Sequence, residues 1–203
     1  FSYELENSTN VIYSKWFSPG PLGYMSNNSF LINIGTSLKS FAFSSLHADV
    51  VFVTSFFEGF SDNCLTEFDY NLIKTPIVSI FYDLIPLVNR SQYLNRNLDF
   101  ESFYLAKVSK LRSFSGLLAI SESSAMEAKT YLKYNSTNIF TISSACNTNI
   151  FNPIESQQDS GLLEQFSFVN YILYSGAGDP RKNIKSLIHA YSLLSRELLL
   201  QYR

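Results

Sequence analysis

Cysteine and histidine are scarce in this sequence. The chain of 203 residues contains two cysteines and two histidines. The cysteines, Cys64 and Cys146, have no closely spaced histidine, which argues against a zinc site. Two well-separated cysteines are more typical of a reduced cytosolic protein, although the sequence alone is also compatible with a disulfide between them. The histidines lie away from the site edges described below, so a hydrolase triad is not indicated.

Long apolar runs and an excess of positive charge are lacking as well. No stretch approaches the roughly 18 apolar residues that a membrane-spanning helix needs. The formal net charge is −2, so nothing indicates a nucleic-acid-binding surface. The spacings of the Rossmann fingerprint and of the phosphate-binding P-loop are also absent.

Apolar and aromatic residues are plentiful, at 46% and 16% of the chain, which is enough for a sizeable core. The length suits one large domain, or one domain and part of another. The first residue is Phe, and the last residues, LLLQYR, continue a helical pattern. We therefore expect both ends to be cut from a longer protein.

Short apolar runs alternate with segments of helical periodicity along the chain. Strands are predicted at 48–55, 75–83, 116–121, 138–145 and 168–176, and helices at 31–46, 64–73, 98–114, 122–134 and 182–198. The strands are continuous apolar runs, as in parallel sheets. The pattern predicts an α/β fold, a Rossmann-like parallel sheet with helices on both faces.

Ligands of such sheets bind beyond the carboxyl ends of the strands. The loop after the first predicted strand contains Glu58 and Gly59, where the acid is equally typical of a turn. Asp83 follows the second strand and is suited to orienting a substrate hydroxyl, to acting as a base or to capping the next segment. After the third strand, Ser121 is a predicted helix N-cap, and Glu122 favours the positive end of that helix.

The stretch SGAGDPRKN, residues 175–183, is a candidate anion site. Gly176 and Gly178 allow the backbone to approach a ligand closely, and Pro180 suits the first turn of a helix. Arg181 and Lys182 place cations at a helix N-terminus, which is mildly unfavourable unless an anion binds there. The alternative interpretation is a solvated turn with two surface cations.

Taken in order, five stretches resemble family-4 glycosyltransferases of the GT-B fold. They are ADVVFVTSFFEGF, PIVSIFYDLIPL, LLAISESSAMEAKTYL, ISSACNTNIFNP and YILYSGAGDPRKNIKSLIHAYSLL. The resemblance runs from about residue 48 to the end of the chain. It is strongest to bacterial mannosyltransferase-like members that act on surface polysaccharides, and the most specific piece is DPRKN at the start of a helix.

The resemblance implies two Rossmann-like domains that face each other across a cleft. Residues 1–152 would form the acceptor-side domain, 153–167 a linker, and 168–203 the first strand and helix of the domain that binds a nucleotide-sugar. The sugar would pass with retention to a glycan or lipid-linked acceptor. No metal or other cofactor and no nucleic acid would take part. The protein would be cytoplasmic, and peripheral association with the inner face of the membrane would come through the acceptor.

The same resemblance implies roles for individual residues. The donor diphosphate would contact the loop with Gly176, Gly178 and Lys182, and we assign Arg181 and Asn183 to the same donor-binding loop.

On the acceptor side, we assign Glu58, Gly59, Ser121 and Glu122, which follow predicted strands, as acceptor-binding residues. Asp83 and Tyr82 are the catalytic candidates.

Three departures from the family pattern matter. Many members have an arginine where this sequence has Ala177, so Arg181 would have to supply that charge. Many have a histidine where this sequence has Tyr82. The carboxylate pair that grips the donor lies further along the family's second domain, beyond Arg203, so we expect this segment alone to be inactive.

A different class of function also fits the sequence. A non-catalytic α/β module could use the same loop to bind a phosphorylated ligand. Neighbouring coding sequence would discriminate between the two, because the enzyme requires roughly another domain of 100–200 residues with a spaced glutamate pair.

Overall fold

A computed structural model describes residues 10–12, 14, 16, 20–148, 150–151, 170, 172–176 and 179–202. The chain divides into two compact units, Phe1–Ala145 and Cys146–Arg203. The predicted domain limits remain a prediction, and the predicted linker, 153–167, lies outside the described residues.

The first unit contains a four-stranded sheet. Its elements are helix α1 (Ser29–Ser45), strands β1 (Val51–Val53) and β2 (Ile77–Phe81), short helices α2 (Ile85–Val88) and α3 (Arg90–Tyr93), helix α4 (Leu98–Leu111), strand β3 (Gly116–Ala119), helix α5 (Glu122–Glu127), which continues into a π-helical turn (Ala128–Leu132), and strand β4 (Ile139–Thr141). All neighbouring strands are parallel, in the order β1-β2-β3-β4. The predicted fold class, an α/β fold with a Rossmann-like parallel sheet, is confirmed.

One face of the sheet carries the core of this unit. Ile77, Ser79 and Phe81 in β2 are all buried, because alternate residues of a strand point to the same face. At the alternate register positions, Phe52 and Phe140 are half-exposed. The two sheet faces are therefore covered unequally within the described part of the chain.

Side-chain caps fix the starts of the main helices. The side chains of Asn28, Asn97 and Ser121 accept the backbone N–H groups of the residues three positions further on. Such caps satisfy donors that have no partner inside the helix. The predicted helices at 31–46, 98–114 and 122–134 are confirmed with these starts, and so is the N-cap role of Ser121.

The helix predicted at 64–73 is wrong. Residues 63–69 are neither helix nor strand, and turns follow at 70–72. The backbone of this segment bonds to other elements instead, since the Lys39 ammonium donates to the Leu65 carbonyl and the Asp69 N–H donates to the Ser40 hydroxyl. These partners replace hydrogen bonds that a helix would supply.

The second unit contains a 3₁₀ turn (Pro180–Lys182) and helices α6 (Ile184–Ser192) and α7 (Arg196–Gln201). The single helix predicted at 182–198 is thus divided, because the Ser195 side chain accepts the Leu198 N–H and begins a new helix. Part of the strand predicted at 168–176 lies outside the described residues. Of those described, Asn170 forms an isolated bridge with Tyr202, and 172–176 are not in a strand.

Candidate functional site

Tyr82 and Asp83 directly follow β2, at the carboxyl edge of the sheet. Asp83 Oδ1 accepts the N–H of Ile85 at 3.0 Å, so the carboxylate forms a local turn just before α2, whose N-cap residue is Leu84. The side chain of Tyr82 is 51% exposed. The catalytic roles of both residues remain predictions.

This loop is held by helix α5, which follows the neighbouring strand β3. The Ser124 hydroxyl donates to the carbonyl of Tyr82, and Glu127 Oε2 accepts the N–H of Leu84 at 2.6 Å. Ser121 bonds to Ser124 through its hydroxyl, at 2.9 Å. The structure thus brings Ser121 and Tyr82 into one hydrogen-bonded cluster, while Glu122 is exposed on the same helix.

A buried phenol lies beside these carboxylates. Tyr104 is 4% exposed, and its ring stacks on Phe57 with centroids 4.9 Å apart. Its hydroxyl makes no well-formed hydrogen bond within the described part of the chain, although the N–H of Leu87 is close enough to lower its pKa somewhat. Burial raises the pKa of Tyr104 well above its usual value, and the charges of Asp83 and Glu127 raise it further.

Glu58 and Gly59 occupy a tight turn after β1. Glu58 is exposed and accepts the Ser55 hydroxyl at 2.8 Å. Gly59 has φ +98°, and a Cβ atom there would lie 2.4 Å from the Cys64 carbonyl oxygen, so glycine is required. The Gly59 carbonyl accepts the N–H of Tyr24 at 2.8 Å. This turn therefore supports the segment before α1, and its predicted contact with acceptor is untested.

The donor-loop candidates lie in the second unit. Arg181 pairs with Asp179, with guanidinium–carboxylate distances of 2.9 and 3.0 Å. Asn183 has φ +49° and is the N-cap residue of α6, without a side-chain cap bond. Lys182 is exposed. The predicted helix start at Pro180 is a 3₁₀ turn, and the α-helix begins four residues later.

The remaining glycines of that loop are only partly described. A Cβ atom on Gly176 would lie 2.5 Å from the hydroxyl oxygen of Tyr174, so the backbone and this ring are closely packed. Gly178 lies outside the described residues, as does Ala177. The diphosphate contact predicted for this loop stays a prediction.

Two buried lysines pack behind the segment that follows Gly59. Lys39 donates to the Leu65 carbonyl at 2.7 Å, and Lys107 donates to the Thr66 hydroxyl and lies 3.7 Å from a Glu67 oxygen. Burial lowers the pKa of Lys39 to about 7, with a further decrease from Lys107. Burial lowers the pKa of Lys107 to about 8, although Glu67 opposes that shift.

Three other observations concern ligand and membrane chemistry. In the described ranges, no three His, Cys, Asp or Glu side chains gather as a metal site would require. Within those same ranges, no helix combines the length and hydropathy needed to cross a bilayer. Both cysteines are free and exposed.

Comparison with known proteins shows that the chain is similar to mannosyltransferases of Escherichia coli. It is 35% identical over 167 residues, 81% of its length, to a serotype-specific mannosyltransferase WbdA of Escherichia coli, and 32% identical to another protein of that name and organism over the same share. It is 30% identical over 116 residues, 56% of its length, to the O-antigen chain mannosyltransferase B of Escherichia coli. The resemblance to mannosyltransferase-like glycosyltransferases is confirmed.

The chain spans about a fifth of the length of the WbdA proteins and 28% of the third relative. No family model matches it. No solved structure matches it either. Assignment to family 4 and to the GT-B fold therefore remains a prediction.

Sequence reasoning missed three residues of this site. Ser124 and Glu127 are three positions apart in α5 and reach the same loop, a spacing that places them on one helix face. Tyr104 belongs to the apolar stripe of α4, a position that is typical of core packing. The helical spacing of Ser124 and Glu127 was a usable signal, but their partners lie 42 and 43 residues away.

Proposed function

We propose that this chain is part of a mannosyltransferase that moves mannose from a nucleotide-sugar to a glycan or lipid-linked acceptor during surface polysaccharide synthesis. The observation that carries the proposal is the 35% identity to WbdA over 81% of the chain. The parallel sheet supports it, since such sheets bind ligands at the carboxyl edge, where Asp83 and Tyr82 lie.

In the proposed reaction, the first unit presents the acceptor and the loop at 176–183 contacts the donor diphosphate. The acceptor oxygen bonds to the anomeric carbon with retention of configuration, the bond from that carbon to the diphosphate breaks, and the hydroxyl proton passes to Asp83 or to the departing diphosphate. In this reaction Asp83 orients that hydroxyl or takes its proton. Lys182 and backbone N–H groups stabilise the negative charge that develops on the diphosphate.

The proposal includes no metal or other cofactor, since cationic side chains and helix N-termini would neutralise the leaving group. It also includes a cytoplasmic location, with association at the inner face of the membrane through the acceptor. These points rest on the resemblance to glycosyltransferases.

The proposal is tested with the full-length protein that contains this segment, supplied with nucleoside diphosphate sugars and mannose oligosaccharides. We expect transfer of mannose and an anomeric product of retained configuration, measured by NMR. The 203-residue segment alone should give no turnover. Binding of phosphorylated ligands without transfer by the folded full-length protein would favour the non-catalytic alternative.

A further inference from the structure

We propose that Ser124 and Glu127 form a two-point clamp that sets the direction of the Asp83 side chain. We use "clamp" for these two side chains and their bonds to the loop. The inference rests on the proposed function for its catalytic consequence, but its structural content can be tested separately.

The clamp holds both peptide planes of Asp83. The plane before Asp83 contains the carbonyl of Tyr82, which accepts the Ser124 hydroxyl. The plane after Asp83 contains the N–H of Leu84, which donates to Glu127 Oε2 at 2.6 Å. Because the backbone has two soft dihedral angles per residue, fixing both planes fixes the direction of the Cα–Cβ bond between them.

Ser124 is itself oriented by Ser121. The Ser124 N–H donates to the Ser121 hydroxyl at 3.1 Å, and the two hydroxyl oxygens are 2.9 Å apart. The one hydroxyl hydrogen of Ser124 is donated to the Tyr82 carbonyl. The hydrogen between the two serine hydroxyls must therefore come from Ser121, with the Ser124 oxygen as acceptor. Ser121 therefore directs the hydroxyl of Ser124 toward the loop, in addition to capping α5.

Burial makes both contacts of the clamp strong. Ser124 is 5% exposed and Leu84 is fully buried, so water competes poorly for their polar groups. The bond from the Leu84 N–H to Glu127 Oε2 is short, at 2.6 Å. Asp83 uses Oδ1 on Ile85, which leaves its second oxygen available to a substrate hydroxyl.

Glu127 is accordingly a positioning residue, and its substitutions separate this role from a chemical one. Glu127→Gln keeps an oxygen that can accept the Leu84 N–H, whereas Glu127→Leu removes it. In the full-length enzyme we expect Glu127→Leu to lower kcat about 10- to 100-fold with KM little changed. Glu127→Gln should retain most of the activity. Equal inactivation by the two substitutions would overturn the clamp, because it would show that activity requires the charge of Glu127 and not only its hydrogen bond to Leu84.

A double-mutant cycle with Asp83→Ala tests whether the effect passes through Asp83. We expect Glu127→Leu to cost little further turnover once Asp83 is alanine. Independent, multiplicative losses would overturn the proposal. Ser124→Ala should behave as Glu127→Leu does, because it removes the other contact of the clamp. Glu197→Gln, on exposed helix α7, is the charge-matched control and should leave kcat unchanged.

A local measurement keeps this test independent of the proposed function. Amide exchange of the peptide covering 82–86 should accelerate in folded Glu127→Leu and remain slow in the wild type and in Glu197→Gln. Unchanged exchange would overturn the clamp even if mannosyl transfer is observed. Faster exchange in a protein that transfers no mannose would support the clamp and reject the proposed function.

Discussion

Asp83 and Lys182, the two residues of the proposed mechanism with the clearest roles, are held in different ways. The loop of Asp83 is fixed by side chains of α5 from 42 and 43 residues away. In the second unit, Arg181 pairs with Asp179 two residues before it, and the Lys182 N–H donates to the Asp179 carbonyl. The loop of Asp83 is therefore fixed by tertiary contacts, whereas the contacts described here for residues 179–182 are local.

This difference separates two kinds of functional residue. A side chain fixed by the tertiary fold can be aimed before substrate binds, which favours a role in turnover. A side chain on a turn that is shaped by local contacts can change its conformation with the ligand, which suits the binding of a flexible diphosphate.

The largest effect is expected at Asp83. In the full-length enzyme, Asp83→Ala should lower turnover by about 100-fold or more if the carboxylate takes or orients the acceptor proton. Loss of its bond to Ile85 should cost only about 0.5–2 kcal/mol in stability. Turnover is measured by steady-state kinetics, and the free energy of unfolding by urea unfolding.

Asp49→Ala is the matched control for that experiment. Asp49 is exposed and precedes β1, at the opposite edge of the sheet, so its loss should change neither quantity much. Near-normal turnover in Asp83→Ala would leave Asp83 as a turn residue and would remove the acceptor-site assignment.

A smaller effect is expected at Lys182. Loss of a charge-assisted hydrogen bond to the donor diphosphate is worth roughly 1.5–3 kcal/mol, so Lys182→Ala should weaken donor use by roughly 10- to 100-fold. Arg181→Ala should cost less than about tenfold, because its guanidinium already pairs with Asp179. Exposed Lys185 in α6 gives the control, Lys185→Ala, with little change in kcat/KM expected.

An equal loss in Lys182→Ala and Arg181→Ala would show that Arg181 leaves Asp179 to bind the donor, as the residue replacing the charge absent at Ala177. An unchanged rate in Lys182→Ala would reduce the DPRKN stretch to a helix start.

The smallest effect concerns the buried lysines and the pH dependence of stability. The pKa of Lys39, about 7, lies below that of an unfolded lysine, so the unfolded chain binds more protons between pH 7 and 8.5. The free energy of unfolding should therefore rise with pH across that window. Lys39→Met should reduce the slope by up to about 1.4 kcal/mol per pH unit, measured by urea unfolding.

Lys74→Met is the control for this prediction, because Lys74 is exposed and also donates to a backbone carbonyl, that of Tyr70 at 2.7 Å. It should leave the slope unchanged. A stability profile that is flat or falls between pH 7 and 8.5 would contradict a lowered pKa of the buried Lys39.

The sequence predicted the parts of the fold that local pattern determines. Strands such as Ile77–Phe81 were predicted because buried parallel strands are short apolar runs, and the start of α5 because Ser121 is a strong cap. The segment at 64–73 was mispredicted because Lys39 and Ser40, 26 and 29 residues away, take its backbone bonds. No local pattern contains that information.

For the candidate site, too, local pattern predicted the positions of single residues but not the contacts between them. Tyr82, Asp83, Glu58 and Ser121 could be placed at the carboxyl edge, since every strand in a parallel sheet ends there. Their neighbours could not be predicted, because Glu127 meets Leu84 only after β2 and β3 have paired. The burial of Tyr104 beside two carboxylates likewise depends on how α4 packs.

The central claim is that Asp83 acts in turnover whereas Lys182 binds the donor diphosphate. Calorimetric measurement of donor binding tests this claim most directly. The titrations compare the full-length wild type with Asp83→Ala and Lys182→Ala. We predict an unchanged donor Kd for Asp83→Ala despite its lost turnover, and a raised Kd for Lys182→Ala. Donor binding weakened as much by Asp83→Ala as by Lys182→Ala would contradict the account.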